Sequence, residues 1–269
     1  MTDEEIDALA ALANRMADRA GAAALKHFRT ARLTTENKAG EAGFDPVTAG
    51  DREAEAAMRE LLSEERPDDG VFGEEHGQVT GTSGLTWVLD PIDGTRAFIT
   101  GLPSWGVLIA LDDGAKGKLG VIDQPFTKER FIGVVGKGAA FFRDGSGEHP
   151  VTTRTCDSLS EATLLTTDPY LFNQTELAAF EDIRTLAKLT RFGLDCYGYA
   201  MVAMGHADLV VETDLAAYDI AAPAALVQAA GGIATDWQGR DCRWGGRALV
   251  AGDPRVHAEA LEILSRVPK

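Results

Sequence analysis

Cysteine and histidine pairs, the usual ligands of zinc and redox centres, are missing from this sequence. Its 269 residues include three cysteines, Cys156, Cys196 and Cys242, which lie far apart and form no CxxC motif. The five histidines form no HxxxH pair. These spacings argue against a zinc ribbon or a dithiol redox motif, and they favour reduced thiols in a reducing cytosol.

Long apolar runs and an excess of basic residues are also missing. No apolar stretch approaches the roughly 20 residues of a membrane span, and the acidic start MTDEEIDALA lacks the basic end of a signal peptide. The formal net charge of −16 predicts a surface that repels nucleic acids and anionic membranes. We therefore expect a cytoplasmic protein that acts on a small molecule. A phosphorylated substrate is compatible with this charge where cations mediate the contact.

The residue patterns divide the chain into two halves. Apolar residues make up 45% of the sequence, enough for a substantial core. Residues 1–155 predict two helices followed by an antiparallel sheet, because short strands follow one another across glycine-rich turns. Residues 156–269 predict an α/β half, in which strands alternate with helices. The expected helices cover 3–31, 51–65, 174–189, 197–204, 218–230 and 254–266, and the expected strands include 86–89, 105–111, 119–122, 131–135, 139–142, 151–152, 162–166 and 208–212.

The sharpest motif directly follows a hydrophobic strand and reads Leu89-Asp90-Pro91-Ile92-Asp93-Gly94-Thr95. Its tight turn can aim Asp90, Asp93 and the Ile92 carbonyl at one point, and hard cations such as Mg²⁺ prefer such oxygen ligands. Gly94 allows a ligand to approach the backbone, and Thr95 can begin a short helix whose free N–H groups suit a phosphate. The alternative is a turn whose aspartates only cap a helix. The full string after a strand favours the metal site.

Two further carboxylates can complete such a site. Glu74 follows an apolar strand and a glycine, and Asp219 begins an apolar helix. Taken singly, Glu74 fits a solvated acidic turn and Asp219 fits a helix cap. Together with Asp90 and Asp93 they would suit two or three Mg²⁺ ions about 4 Å apart. Without cations, four clustered carboxylates would repel one another strongly.

The loop and helix start before these motifs offer two more candidates. Asp51 stands at a loop-to-helix junction, where it can cap the helix or accept the hydroxyl of Thr95. Such a pair could orient a water and take its proton. Lys38, in the preceding loop, could balance the acidic cluster or be one more exposed lysine.

Taken in order, these motifs resemble those of the inositol monophosphatase family. The matching strings are Lys38…Asp45-Pro-Val-Thr48-Ala-Gly-Asp51, Gly73-Glu74-Glu75, Trp87-Val-Leu-Asp90-Pro-Ile-Asp93-Gly-Thr95, Gly205-His-Ala-Asp208, Tyr218-Asp219-Ile-Ala-Ala and Ala230-Gly231-Gly232. They span essentially the whole chain. The resemblance implies an α+β fold with a layered αβαβα sandwich, Mg²⁺-dependent phosphatase activity and a homodimer.

The resemblance also implies residue roles. Glu74, Asp90 and the Ile92 carbonyl would hold a first metal, Asp90, Asp93 and Asp219 a second, and Glu74 would touch a third. Asp51 and Thr95 would activate the water, and the Gly94 and Thr95 amides would take the phosphate.

Within the family, the chain is most similar to the histidinol-phosphatase branch. The supporting strings are Asp93-Gly-Thr-Arg96-Ala-Phe98-Ile-Thr100-Gly-Leu-Pro103, Arg191-Phe-Gly193-Leu-Asp195-Cys196-Tyr197-Gly-Tyr199 and Asp208-Leu-Val-Val-Glu212. Inositol phosphatases usually carry Thr-Asn-Phe after Asp-Gly-Thr, where this chain has Arg96-Ala97-Phe98, and small residues where it has Asp195. Histidinol phosphate carries an ammonium and an imidazole, which favour carboxylate partners.

Five residues follow from this comparison as candidates for substrate binding. Asp195 and Glu212 would bind the cationic groups, and Thr100 or Tyr197 would line the ring. Arg96 would contact the phosphate or a partner subunit, or lie on the surface. For Asp195 a local turn or cap remains the alternative.

Three functional hypotheses follow. The first is hydrolysis of L-histidinol phosphate, and the second is hydrolysis of inositol monophosphate, a sugar phosphate or a nucleotide 3′-phosphate. A catalytically silent metal- or phosphate-binding regulator is a different class, disfavoured because every expected ligand is present. A serine hydrolase is disfavoured because no GxSxG elbow occurs.

Overall fold

The structure is a computed structural model that describes residues 1–30, 35–37 and 46–268. Its helices are α1 Asp3–Leu25, α2 Ala49–Glu65, α3 Thr95–Thr100, α4 Gln174–Leu186, α5 Asp195–Ala203, α6 Ala217–Ala229 and α7 Pro254–Leu264. Its strands are β1 Thr35–Asn37, β2 Pro46–Thr48, β3 Gly70–Gly73, β4 Gly77–Val79, β5 Thr86–Asp93, β6 Gly106–Asp112, β7 Gly117–Gln124, β8 Glu129–Val134, β9 Ala139–Asp144, β10 Gly147–Pro150, β11 Thr163–Thr166, β12 Leu189–Phe192, β13 Leu209–Leu215, β14 Ile233–Thr235 and β15 Gly246–Ala251.

The strands form two large sheets and one small hairpin. The first large sheet has the order β10-β9-β8-β7-β6-β5-β3-β4 and is antiparallel except between β3 and β5. The second has the order β12-β11-β13-β15-β14, with β11 parallel to both β12 and β13. Strands β1 and β2 pair by themselves. The first sheet's last strand ends at Pro150 and the second sheet's first strand begins at Thr163, while the division at 155 remains a prediction.

Helices and sheets alternate in five layers. Helices α1 and α2 cover one face of the first sheet, where Met16, Met58 and Leu62 pack with Trp87 and Leu89. Helices α5 and α6 fill the space between the two sheets. Helices α4 and α7 cover the outer face of the second sheet. The layered αβαβα sandwich is therefore confirmed.

Three element boundaries differ from the sequence prediction for tertiary reasons. Helix α1 ends at Leu25 and not near 31, because Phe28 turns into an aromatic cluster with Phe98 and Trp105. The helix expected over 174–189 ends at Leu186, and Leu189 begins edge strand β12. Helix α5 begins at Asp195, two residues earlier than expected.

Other differences are smaller. Residues 151–152 lie outside a strand, since the hairpin strand is β10, Gly147–Pro150. Strands β14 and β15 were not predicted.

Among the described residues, no helix combines the length and apolar character needed to cross a membrane.

Two glycines allow helix α6 to lie very close to the first sheet. A Cβ atom added to Gly120 on β7 would lie 2.1 Å from the carbonyl oxygen of Ala222. A Cβ atom on Gly133 of β8 would lie 2.6 Å from the Cα of Leu226. Both neighbours are helix backbone, which cannot move aside as a flexible side chain can. The depth of α6, which carries Asp219, thus depends on these two positions.

The variant Gly120→Ala is expected to lose about 3 kcal/mol of unfolding free energy, because overpacking against rigid backbone forces the helix outward. Chemical denaturation would measure it. Gly136→Ala is the matched control, since no atom lies within 4 Å of its added Cβ, and it should change stability by less than about 0.5 kcal/mol. Equal stability of the two variants would contradict this role for Gly120.

Candidate active site

The end of strand β5 brings two aspartates to one side of the sheet. Its pairing with β6 matches Asp90 to Leu108 and Asp93 to Gly106, so β5 has one more residue than β6 over this stretch. In a regular strand, residues three apart face opposite sides. The extra residue of this bulge changes the phase, and Asp90 and Asp93 therefore share a side.

Helix α6 supplies the third carboxylate. Asp219 lies in its first turn and accepts a hydrogen bond from the Ala216 amide at 2.6 Å. Asp90, Asp93 and Asp219 each offer a carboxylate oxygen, and these oxygens all lie within 4.8 Å of one another. Three hard oxygen donors at this separation match the ligand chemistry of Mg²⁺. The residues therefore fit the metal that the sequence predicts.

Glu74 lies beside this cluster because β3 runs parallel to β5. Parallel strands end at the same edge of a sheet, and the Glu74 amide donates to the Leu89 carbonyl at 3.3 Å just after β3 ends. Among the charged neighbours of Asp90, Glu74 raises its pKa the most. The role of Glu74 as a shared metal ligand stays a prediction, as does that of the Ile92 carbonyl.

The cluster is electrostatically costly in the protein alone. Burial raises the pKa of Asp90 well above its usual range, and the charges of Glu74, Asp93 and Asp219 raise it further. Burial also raises the pKa of Asp93, together with Asp195 and Asp219, while the Cys196 amide opposes the rise. That amide donates to Asp93 Oδ2 at 2.7 Å from the first turn of α5. A bound cation would relieve the repulsion that produces these shifts.

Asp51 and Thr95 have other partners than expected. Asp51 Oδ2 accepts from the amide and the hydroxyl of Thr48, at 2.8 and 2.6 Å, in a capping box at the start of α2. The Thr95 hydroxyl donates to the Ile92 carbonyl at 3.2 Å. The expected Asp51–Thr95 hydrogen bond is thus absent from the described residues, because local backbone partners satisfy both groups. The two elements are still neighbours, since a Cβ on Gly50 would lie 3.3 Å from Ile92 Cδ1.

Gly94 joins the metal cluster to the substrate candidates. It has φ 79°, a left-handed conformation that favours glycine, and it precedes α3. A Cβ at this position would lie 2.9 Å from Cγ of Asp195. Asp195 therefore packs directly over the turn that carries Asp93.

A pocket of about 250 Å³ is lined by seven of the fourteen predicted site residues. It is lined by Asp93, Gly94, Thr95, Arg96, Thr167, Leu171, Asp195, Glu212, Thr213, Asp214, Leu215 and Asp219. Both proposed specificity carboxylates, Asp195 and Glu212, thus face the same space as the metal candidates Asp93 and Asp219. The arrangement can hold a phosphate near the cations and a leaving group against the two carboxylates.

Glu212 is held at the bottom of this pocket by strand β11. Its Oε1 accepts from the Thr167 amide at 2.6 Å and its Oε2 from the Thr166 hydroxyl at 3.2 Å. Burial raises the pKa of Glu212 to about 8, against these hydrogen bonds. Burial likewise raises the pKa of Asp195 to about 6, although Arg96 opposes the rise. Both carboxyls would ionise more readily beside a cationic group.

The remaining substrate and loop candidates are divided between this pocket and other parts of the chain. The Tyr197 hydroxyl donates to Glu129 Oε2 at 2.7 Å, and the Thr100 hydroxyl donates to carbonyls of its own helix. Neither is among the described residues that line the pocket, so ring contacts by these two remain a prediction. Arg96 lines the pocket and lies 3.6 Å from Asp168 Oδ2. Lys38 lies outside the described residues.

Sequence reasoning missed the supporting residues. Thr166 ends β11 and Thr167 follows it. Because β11 is parallel to β13, their position near Glu212 would follow from the strand pairing. A helix predicted to begin at Asp195 would have identified the Cys196 amide as a free first-turn donor, which in the structure donates to Asp93. Leu171, Thr213 and Asp214 carried no recognisable motif.

Comparisons with known proteins agree on one family. The model of the inositol monophosphatase family matches residues 5–268. The chain is 38% identical to the chloroplastic bifunctional phosphatase IMPL2 of Arabidopsis thaliana, covering 98% of this chain and 77% of that one. It is 37% identical to a histidinol-phosphatase of Chlorobaculum parvum, covering 90% and 91%. A solved inositol monophosphatase from Zymomonas mobilis has a TM-score of 0.84 and 42% identity, covering 98% and 100%.

The first prediction from the site concerns metal binding. Saturating Mg²⁺, at about 100 times its Kd, should stabilise the wild type by about 2.7 kcal/mol. The variant Asp93→Asn should lose most of this gain and, without metal, be more stable than the wild type, because one repelling charge is gone. Thermal unfolding with EDTA and with Mg²⁺ measures both effects. Asp182→Asn, an exposed carboxylate on α4, is the control, and an equal Mg²⁺ response of Asp93→Asn and wild type would contradict the metal site.

The second prediction concerns Glu212 and pH. Its pKa is about 8 in the folded protein and near 4.5 when unfolded, so the folded state holds the proton more tightly. Metal-free wild type should therefore lose roughly 4 kcal/mol relative to Glu212→Gln as pH rises from about 4.5 to about 8. Denaturation curves of both proteins across this range give the difference. Parallel pH profiles would show that Glu212 is not buried as described.

Proposed function

The chain belongs to the inositol monophosphatase family, and we propose that it is a Mg²⁺-dependent phosphomonoesterase that hydrolyses L-histidinol phosphate to L-histidinol and phosphate. The main observation in support of this substrate is that Asp195 and Glu212 line the same pocket as Asp93 and Asp219. An ammonium or imidazolium needs such carboxylate partners, whereas an uncharged polyol does not. The likeness to a histidinol-phosphatase supports the same substrate.

In this proposal Asp90, Asp93, Asp219, Glu74 and the Ile92 carbonyl hold two or three Mg²⁺ ions. When bound, these ions supply positive charge to the phosphate oxygens and lower the pKa of water. Protein groups would bind and orient the phosphate beside these ions. The free amides of Gly94 and Thr95 at the start of α3 donate to the phosphate, and Arg96 adds positive charge at the pocket's edge.

The chemical step is attack by water on phosphorus, opposite the leaving alkoxide. The new oxygen–phosphorus bond forms as the bond to the leaving oxygen breaks, and the water's proton passes to a carboxylate of the site. Asp51 suits this task, since burial raises its pKa and only its Oδ2 accepts from Thr48. Thr95 would orient the water, and Glu74 is the second candidate base.

The alternative within the family is hydrolysis of inositol monophosphate or another sugar or nucleotide phosphomonoester. The likeness to an inositol monophosphatase from Zymomonas mobilis favours it. A silent metal- or phosphate-binding regulator is less favoured, because the acidic cluster and the specificity carboxylates share one pocket. Small phosphorylated compounds are the proposed partners in every case, and the three buried free thiols suit the reducing cytoplasm.

Phosphate release decides between the substrates. The purified protein with Mg²⁺ is expected to have a higher kcat/KM on L-histidinol phosphate than on inositol 1-phosphate, and Asp93→Asn should lose at least about 10³-fold in kcat. The variants Asp195→Asn and Glu212→Gln should each lose about 10- to 100-fold on histidinol phosphate. A preference for inositol phosphate would refute the substrate while leaving the metal chemistry, and no turnover of either would favour the regulator.

We also propose that two copies form a homodimer through the edge of the second sheet. Edge strand β12 exposes Leu189 and Phe192, and the nearby turn exposes 90% of Tyr170. An unpaired edge with apolar side chains is a site for association. Sedimentation of the wild type is expected to give twice the mass of one chain, and Leu189→Lys to shift it toward the monomer. A monomeric wild type would refute the proposal.

A further inference from the structure

The catalytic pocket shares a wall with a second and larger cavity. The second cavity measures about 530 Å³ and lies between β13, the end of β14 and the turn before β15. Three residues line both spaces: Leu171, Thr213 and Asp214. A leaving group that extends from the catalytic pocket toward the second cavity would therefore pass these residues.

Asp214 occupies this wall in an unusual backbone conformation. Its φ is 58°, in the left-handed region that non-glycine residues adopt at a cost of roughly 1 kcal/mol or more. Strand β13 has an extra residue here, because Glu212 pairs with Ala248 and Leu215 with Gly246. Glycine would adopt this conformation without strain, so the aspartate brings a carboxylate to a position that the fold alone would give to glycine.

The opposing turn is shaped to fit this bulge. Gly245 has φ 98°, and a Cβ atom there would lie 2.4 Å from the Leu215 carbonyl oxygen. The backbone on both sides is thus fixed by close contact. Asp214 is held on a rigid support, as a residue that reads a ligand must be.

The charges around the wall leave Asp214 available to a ligand. Its side chain is exposed, and no hydrogen bond or ion pair to its carboxylate occurs in the part of the chain that the structure describes. The cavity's arginines are already engaged: Arg247 donates to Glu176 at 2.7 Å, and Arg240 donates to Asp236 at 2.7 Å. Thr213 also donates to Glu176. The carboxylate of Asp214 is the charge at the shared wall that remains unpaired.

We propose that Asp214 is a specificity-determining residue that binds a cationic group of the leaving group where it passes from the catalytic pocket toward the second cavity. With Asp195 and Glu212 it makes three carboxylates that line the pocket in addition to the metal candidates Asp93 and Asp219, which favours a leaving group with positive charge over a neutral polyol. The inference rests on the proposed function and extends it to a residue that no motif singled out.

The test is the selectivity of Asp214→Asn and Asp214→Gly, each compared with the wild type. The ratio of kcat/KM for L-histidinol phosphate to that for inositol 1-phosphate should fall about tenfold in both variants, through a higher KM for the cationic substrate. The glycine variant keeps the left-handed backbone without strain, so agreement between the two assigns the effect to the carboxylate. The loss should shrink at high ionic strength, since an exposed charge is screened.

Asp182→Asn is the control for the loss of one surface charge and should leave the ratio unchanged. A wild type that prefers histidinol phosphate, with an unchanged ratio in both Asp214 variants, would overturn the inference and leave the proposed function standing. A loss in kcat with equal effect on both substrates would also overturn it, because it would indicate a structural role. A wild type that prefers inositol phosphate would overturn both, and the wild-type data alone would show it.

Discussion

Repulsion between closely spaced carboxylates is the constraint on which the rest of this structure depends. Oxygens of Asp90, Asp93 and Asp219 lie within 4.8 Å of one another. Asp90 is buried and the other two are half-buried, so water screens their charges only in part. The fold must therefore hold the three groups together against their charge. It does so with backbone contacts that cannot relax: the bulge that ends β5, and the helix α6 pressed against Gly120 and Gly133. A bound cation would relieve this repulsion and use the three carboxylates as ligands.

The first turn of helix α5 contacts both the metal candidate Asp93 and the turn at Gly94. Its first amide donor, from Cys196, fixes one oxygen of Asp93, and the residue before it, Asp195, packs over Gly94. The same turn of helix thus orients a metal candidate and a substrate candidate. Because both depend on where α5 begins, a shift of this helix would alter metal affinity and substrate selectivity together. The two properties are structurally coupled although they belong to different side chains.

Three of the carboxylates that the sequence predicts as metal ligands lie together in the structure, and each belongs to a short contiguous motif. Asp90 and Asp93 are fixed by a local bulge, and the glycine between the motif and α3 is required by its own conformation. Contacts between distant segments were predicted poorly. The Thr95 hydroxyl donates to the Ile92 carbonyl, and Asp51 accepts from Thr48. The predicted hydrogen bond between Thr95 and Asp51 does not form because groups nearby in the sequence compete with a distant partner. Strand β12 was missed because its apolar residues continue the helical pattern before it, and only pairing with β11 makes it a strand. The position of Asp214 in the pocket could not be predicted from the sequence, because it depends on a register shift between β13 and β15.

The order of binding follows from the charges. The chain carries a formal net charge of −16, and five of the twelve residues that line the pocket are carboxylates, so an ionised pocket would repel a phosphate dianion before any cation is present. On the proposed function, cations would therefore enter before the phosphate binds tightly. The same carboxylates would have the opposite effect on a leaving group with positive charge, which would attract them in their ionised form and favour the loss of their protons. On the proposed function, a cationic phosphomonoester would place its phosphate at the metal candidates Asp93 and Asp219 and its cationic group at Asp195 and Glu212. A neutral polyol phosphate would gain no charge attraction from Asp195 and Glu212.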